Sequence, residues 1–526
     1  MNGQRSSELA ESPSSPDGHA ISARIPEAPG IGAAADKKNL NHFSRGDVAH
    51  ETTRYLAAAT QIDLGYARTV RRLIVSDPFH ALAPVYGADP VVIARWALTA
   101  LRRRFWRDAV LAMMFFAATG IFLILSAEQA QDAWFWAFAI ILMIAVVGLV
   151  TRERFQIRRI LMTRMRREVF NPEDAPQPRN AKVSRRLATV ADRRDGNLVI
   201  FQHDSPFVGS GKPVNSWNLV LDVSRGTKLG DGTRRQPAEF TSTDLHAELI
   251  DAFRQMGLPD AHVEERLFVN GRHVQHNPAL LPGWTPPGPP PAHVADRVLR
   301  QAALYPTPDA RVYVCLEMPG WQGQLVTTLF ARAVHAGGSL YIEWNFHVLP
   351  PLSKLFPDVD EFYDEPAAEQ IGKAVGHGLL HAIPAFLWSP LALAWYGWQW
   401  GKKKVRRGIQ SWKIGRGQVF DYGAVRSIRE DASGFGSPHQ DYFVEHDQNM
   451  AIMLAQETLL QAVGSFLARH QVDLSEFEHQ VHVISYSTQK RFNAGSVSGA
   501  GIVIGDRPAV TDAVPVQAPP SAHLAG

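Results

Sequence analysis

Two uninterrupted apolar runs sit back to back in the first third of the chain. They cover residues 109–125 and 133–150, and neither contains a charged side chain. A hydrocarbon core about 30 Å thick takes about 20 helical residues, and each run reaches that length with a few flanking residues. Residues 126–132 between them are short, polar and acidic. The pattern predicts a transmembrane helical hairpin. Arg102, Arg103, Arg104 and Arg107 precede it, Arg152, Arg154, Arg158 and Arg159 follow it, and the loop holds Glu128 and Asp132 with no Lys or Arg. Short positive flanks stay inside, so both termini are expected in the cytoplasm of a multi-pass plasma-membrane protein. Trp106, Trp134 and Trp136 stand near the run ends, where indoles favour the headgroup layer. Ala117, Ala118, Gly120, Ala145 and Gly148 are small enough to let the two helices approach closely.

Before the hairpin, residues 1–43 lack the apolar content to offset ordering entropy and read as a disordered tail. Val48, Tyr55, Leu56, Ala59 and Ile62 then recur at helical spacing. Asp77-Pro78 breaks that helix, and Asp89-Pro90 starts another, with Asp at the cap and Pro in the first turn. This second helix is expected to run unbroken into the first span.

After the hairpin comes a basic collar and a proline-broken linker, residues 152–182, and then a mixed α/β region. Residues 197–202, 217–223, 311–316 and 339–348 read as strands and 242–256 and 293–304 as helices. Residues 325–335 read as a helix ahead of a Gly337-Gly338 turn, and 266–274 as a hairpin around Asn270-Gly271. The proline-rich stretch 282–291 reads as an extended spacer, and the acidic patch 358–365 as a solvated face without calcium-loop spacing. Further on, Asp447 is expected to cap an amphipathic helix carrying Met450, Met453, Leu454, Leu460, Val463 and Leu467. Ser475 starts a second helix, 481–486 reads as a strand, and 492–506 as a glycine-punctuated β segment.

Residues 374–400 are long and apolar enough to span, and Lys402, Lys403, Lys404, Arg406 and Arg407 follow. A single crossing would put this basic stop on the wrong side, and Pro384 and Pro390 interrupt the helix. A re-entrant hairpin bent at the prolines, or an interfacial helix seated by Trp395, Tyr396, Trp398 and Trp400, is therefore expected ahead of a third span.

Overall charge is +3, from 54 basic and 51 acidic residues, so the balance names no partner. The basic residues cluster beside the apolar runs, which points to anionic lipid rather than nucleic acid. A single cysteine, Cys315, excludes an intrachain disulfide and fits a reducing compartment. Residues 1–37 have no apolar core, so no signal peptide is expected among them.

Candidate chemistry is thin. His377 and His381 share a helix face at the spacing metal sites use, but Gly378 stands where a zincin has Glu and no third ligand is near. Residues 205–212 (SPFVGSGK) approach a phosphate cradle, but Gly209 and Gly211 are too close together and Pro213 follows Lys212. A tight loop between strands fits better. His203/Asp204 and His446/Asp447 have acid–base character without a nucleophile. No catalytic residue, metal site or cofactor is assigned. Val497, Ile502 and Ile504 alternate with small residues in 492–506, from Phe492 to Asp506, the composition of a stacking β segment. Its Asn493–Gly505 part is similar to short glycine-rich motifs of bacterial amyloid-type signalling; a hairpin closing a sheet is the other reading.

Thr53–Leu56 (TRYL), Val85-Tyr86-Gly87, Ser205–Gly211 and the closing glycine-rich segment together resemble a family of uncharacterised actinobacterial two-span integral membrane proteins. That resemblance implies architecture and carries no activity.

The expected fold class is an α+β membrane protein, a transmembrane helical hairpin with a mixed α/β cytoplasmic domain. Its parts are a tail (1–43), a helical region leading into the membrane (44–107), the hairpin (108–151), the collar and linker (152–182) and the α/β domain (183–373). A membrane-dipping or interfacial segment (374–407), a C-terminal helical and β region (408–506) and a second tail (507–526) complete it. The expected role is a non-enzymatic, membrane-anchored binding, scaffold or signalling protein, with self-association or a protein partner at 492–506. The alternative is a membrane-tethered enzyme using metal at His377/His381 or nucleotide at 205–212.

Overall fold

The computed structural model describes residues 45–127, 133–193, 195–202, 205–353, 367–434 and 442–495. The two tails, the loop 128–132, His203/Asp204, the acidic patch 358–365 and residues 496–506 lie outside them.

The chain begins with α1 (Arg45–Ile62) and α2 (Leu64–Val70), followed by α3 (Pro90–Ala127). Asp89 starts α3 by accepting hydrogen bonds from the N–H of Val91 at 2.8 Å and of Val92 at 3.3 Å. With no breaker after Pro90, α3 runs on for 38 residues. Its first turns are core: Val91, Ile93, Ala94, Ala97 and Ala100 are buried. Its later turns expose Met113, Phe116, Phe122, Leu123 and Ile124. α4 (Ala133–Arg164) follows and likewise exposes Trp136, Ile140, Ile141 and Ile144.

After α5 (Ala181–Asp192), β1 (Leu198–Phe201) and β2 (Lys212–Asp222) open a six-stranded sheet. Then come α6 (Ser242–Gln255), β3 (His262–Asn270), α7 (Asp296–Leu304), β4 (Ala310–Gly320), β5 (Leu325–Ala336) and β6 (Ser339–Leu349). Strand order is β1-β3-β4-β5-β6-β2, antiparallel except for the β1–β3 pair. α8 (Ala367–Gly415), the one-turn α9 (Ile428–Asp431), α10 (Tyr442–Arg469) and α11 (Ser475–Gly495) complete the chain.

Several expectations are corrected. Residues 325–335 form β5, not a helix: Val326, Thr327, Thr328 and Val334 are β-branched, and Gly337-Gly338 closes a two-residue hairpin in which Ala336 pairs with Ser339. No hairpin forms around Asn270-Gly271; β3 ends there and a short 3-10 turn follows. Residues 481–486 are helical within α11, because Phe477, Val481 and Ile484 hold helical spacing and pack on the core. Phe492–Gly495 end that helix, so this part of the 492–506 segment is not β. Asp447 lies inside α10 rather than capping it. The prolines at 290 and 291 are no free spacer, since the adjacent Ala292 accepts the N–H of β1's Leu198 at 3.0 Å.

One face of the sheet carries the largest core: Leu316, Leu329, Ile342, Trp344 and Phe346 pack against α6, α10 and α11. Four described helices are long and apolar enough to cross a membrane: Pro90–Ile124, Trp136–Arg164, Ile371–Gly415 and Tyr442–Arg469. In the last, half of the apolar window is buried against 17–22% in the others, so α10 belongs to the core.

α8 continues through Pro384 and Pro390, each of which lacks the N–H for one helical hydrogen bond, and its contacts show it bowed. α3 and α4 flank one cleft in which Trp106 and Val110 face Glu153 and Leu149, which fixes their relative height. Gly378 abuts Thr151 and Val147 so closely that a Cβ would collide. Further along, Phe386 reaches Phe115, with ring centroids 5.4 Å apart. Then Tyr396 returns to Asp108 (2.8 Å) and Phe105. The level of contact therefore rises and falls again along one helix, with the prolines near the crest.

Candidate functional site

The second face of the sheet sets charged side chains beside buried aromatic ones. Strand alternation puts Glu264, Arg266 and Phe268 of β3 beside Tyr313, Cys315 and Glu317 of β4. Arg266 and Glu317 are only 2% and 5% exposed. Arg266 donates to Glu317 Oε1 at 2.5 Å, to Glu264, and to the Tyr86 hydroxyl at 3.1 Å, and its guanidinium lies over the Tyr86 ring. His262 Nε2 stands 3.3 Å from Glu264 Oε2. Burial alone would raise the Glu264 carboxyl, but the His262 hydrogen bond and the Arg266 charge outweigh it and hold the group at about 2. Burial disfavours the Arg266 charge, yet Glu317, Tyr86 and Glu264 keep the guanidinium well above its ordinary value. Burial pushes the Cys315 thiol far up, so it stays protonated.

A pocket of about 80 Å³ opens onto this cluster, with room for several waters or a compact ligand. Its walls are the segment before α3 (Pro84, Val85, Tyr86), β3 and β4 (His262, Arg266, Glu317) and Pro290 and Pro291. Arg193 sits at its edge, lowered to about 10 by burial and by the neighbouring Arg186 charge. Gly87 allows the close wall: its φ is +67°, and a Cβ would meet the Gly323 carbonyl oxygen. The loop after β4 carries two further left-handed residues, Trp321 and Gln322. It is gripped from several sides: Thr52 bonds the Gln322 carbonyl, Arg167 its side chain, and Asp447 accepts from Trp321 Nε1 at 2.9 Å. The buried Arg429 donates to Gln324 O and Pro350 O.

The residues singled out in the sequence are not brought together. Residues 205–211 form a plug: Phe207 stacks on Phe330 at 4.2 Å and meets Tyr313, Phe268 and His347 edge-on. The Gly209 N–H donates to Glu430 Oε2 at 3.1 Å, so a carboxylate occupies what a phosphate would need. His377 Nε2 lies 2.6 Å from Arg154 Nη2, and His381 Nδ1 is 3.1 Å from the His377 carbonyl. The Arg154 cation beside His377 opposes a second cation at that ring, and the two histidines stand at a junction of α4 and α8. His446 stacks on Tyr442, and Asp447 is committed to Trp321. Sequence reasoning missed the Arg266 cluster. Its signal was an alternating Glu264-x-Arg266 inside an apolar strand, a charge in phase with a buried face.

Residues 216–504 match the family model of the AbeC-like domain. Comparison with curated proteins and with solved structures returned no match. The matched part takes in β3–β6, α6, α8 and α10, while the wall that closes the pocket from the α3 side lies ahead of it. With more than half of its length covered, the chain belongs to the AbeC-like domain family.

Proposed function

We propose that the chain is a non-enzymatic, membrane-anchored binding protein whose cytoplasmic α/β domain takes a compact ligand or signal at the Arg266 pocket. One observation carries this reading: α3 is a single helix whose base is buried in the domain and whose far half is exposed and apolar. The segment that walls the pocket leads directly into that helix, so occupancy is felt at the anchor. In this reading α3 and α4 cross the bilayer, their arginine flanks lie on the domain side, and the termini are cytoplasmic, as in the actinobacterial two-span proteins the chain resembles. α8 dips in and returns. Its crest at Phe115 lies seven residues beyond Asp108, about 10 Å at 1.5 Å each, well short of a 30 Å core. The commitments of Gly209 and His377 favour binding over nucleotide- or metal-dependent catalysis. Self-association through 492–506 belongs to the same proposal, and truncation before residue 496 would abolish it.

Two measurements test the proposal. Single cysteines replacing Glu369 and Arg406 are labelled with an impermeant maleimide in sealed vesicles of known orientation. Both are expected to react from the domain side; reaction from opposite sides makes α8 a third span. Native mass spectrometry of the full chain extracted from membranes is expected to retain a small adduct that Val85→Trp loses. A bare mass throughout sinks the binding reading.

A further inference from the structure

The cleft between α3 and α4 is a second, larger site. It encloses about 500 Å³, within the roughly 300–1,000 Å³ of small-ligand sites. Arg102, Arg103, Arg107, Arg152, Arg159 and Arg179 line it, and Glu153 is its one carboxylate. That carboxylate is already engaged: Arg107 donates to it at 2.5 Å and Arg104 at 3.4 Å. Asp108, beside it, is held by Arg107 and by the Tyr396 hydroxyl. Arg103 is tied to Gln61. Arg102, Arg152, Arg159 and Arg179 are exposed, and among the described residues none has a carboxylate at ion-pair distance. Four unmatched guanidinium groups therefore converge on one open cleft from two helices and the linker behind them.

The cleft changes character along its length. Thr99, Gln156 and Arg159 lie toward the domain, and Val110 and Leu149 at the other end open onto the exposed apolar surface of α3 and α4. Trp106 stands between, more than half exposed. Such a gradient matches a molecule with an anionic head and hydrocarbon tails. Eleven residues separate Thr99 from Val110, about 16 Å of helix, longer than one phosphate can bridge.

We propose that this cleft is a headgroup site for an anionic phospholipid of the cardiolipin type, two phosphates joined by glycerol. The arginines meet the phosphates through forked hydrogen bonds, Trp106 lies at the glycerol level, and the acyl chains follow Val110 and Leu149 outward. Basic pockets between helices on the cytoplasmic side are where such lipids bind. The site rests on the membrane reading above.

The test uses the full chain in detergent, titrated with cardiolipin, phosphatidylglycerol and inorganic pyrophosphate and read by native mass spectrometry. Cardiolipin is expected to be retained in preference to phosphatidylglycerol, and pyrophosphate to compete weakly. Arg152→Gln with Arg159→Gln is expected to weaken retention roughly tenfold or more, while Arg152→Lys with Arg159→Lys keeps most of it. Equal retention of the two lipids overturns the two-phosphate assignment. Pyrophosphate competing on a par with cardiolipin makes this a free-anion site, and an unchanged Gln variant removes the site altogether. Alkaline carbonate extraction of membranes runs beside it: a chain that extracts refutes the membrane reading, whereas an inserted chain without lipid preference refutes this inference alone.

Discussion

Replacing Arg266 with Met leaves the buried Glu317 without its cation and Glu264 with His262 alone. The wild-type side can be sized from Glu264, whose carboxyl is held at about 2 against an ordinary 4.5. At about 1.4 kcal/mol per unit, that is about 3 kcal/mol net, the His262 and Arg266 interactions less the cost of burial. A depressed carboxyl stabilises the fold above its ordinary value, and the contribution is lost as pH falls from 4.5 through 2. In Arg266→Met Glu317 loses its cation and Glu264 keeps only His262, so the charged forms are penalised most at neutral pH and the penalty relaxes on acidification. Breaking a buried pair in this way costs about 3–5 kcal/mol, roughly 6–20 °C in melting temperature for a domain of this size. Thermal melting of the full chain in detergent, followed by near-UV circular dichroism from pH 7.5 to 4.5, measures it. The gap between variant and wild type is expected to narrow toward acid. Combining Arg266→Met with Glu264→Gln and Glu317→Gln is expected to recover most of the loss, because no charge is then left unpaired. A gap under 1 kcal/mol, or one that does not change with pH, would refute the reasoning.

Three further outcomes are expected. Gly211→Ala puts a Cβ into the Val348 carbonyl at a φ of +90° and is expected to cost about 2 kcal/mol or more. Gly230→Ala, with open space around it, should melt as wild type does. Burial holds His347 at about 4 and neutral, whereas the unfolded chain takes up a proton below about 6.5. Stability is therefore lost as pH falls from 6.5 toward 4, by about 3 kcal/mol, and His347→Leu should flatten that slope in acid melting curves. Cys315 is buried and its thiol raised, so maleimide should leave it unmodified in the native chain and react after denaturation; fast native labelling would mean that this face of the sheet opens.

What could be read from the residues depended on how local the determining interactions are. The start of α3 was legible because Asp89 and Pro90 act within one turn. β5 was not, because its Ala and Leu residues offset the β-branched Val326, Thr327, Thr328 and Val334, and pairing with β4 and β6 decides its state. Residues 481–486 look like a strand in a six-residue window and like a helix once Phe477 is included. The pocket was hidden for a different reason: Tyr86, Arg266 and Glu317 are separated by 180 and 51 positions; sheet register brings the last two together, and the packing of the segment before α3 adds Tyr86. The prolines of α8 were visible, but its bow depends on Thr151 and Phe115, more than 200 residues away.

α3 also has a mechanical meaning. At 1.5 Å per residue its 38 residues make a rod about 57 Å long, buried in the domain at its base and held by α4 and α8 as far as Phe115. A rigid rod of that length multiplies angles: a tilt of about 10° at the base moves the far end by about 10 Å. Because α8 is packed on α3 at Asp108 and Phe115, a tilt of α3 would have to carry α8 with it.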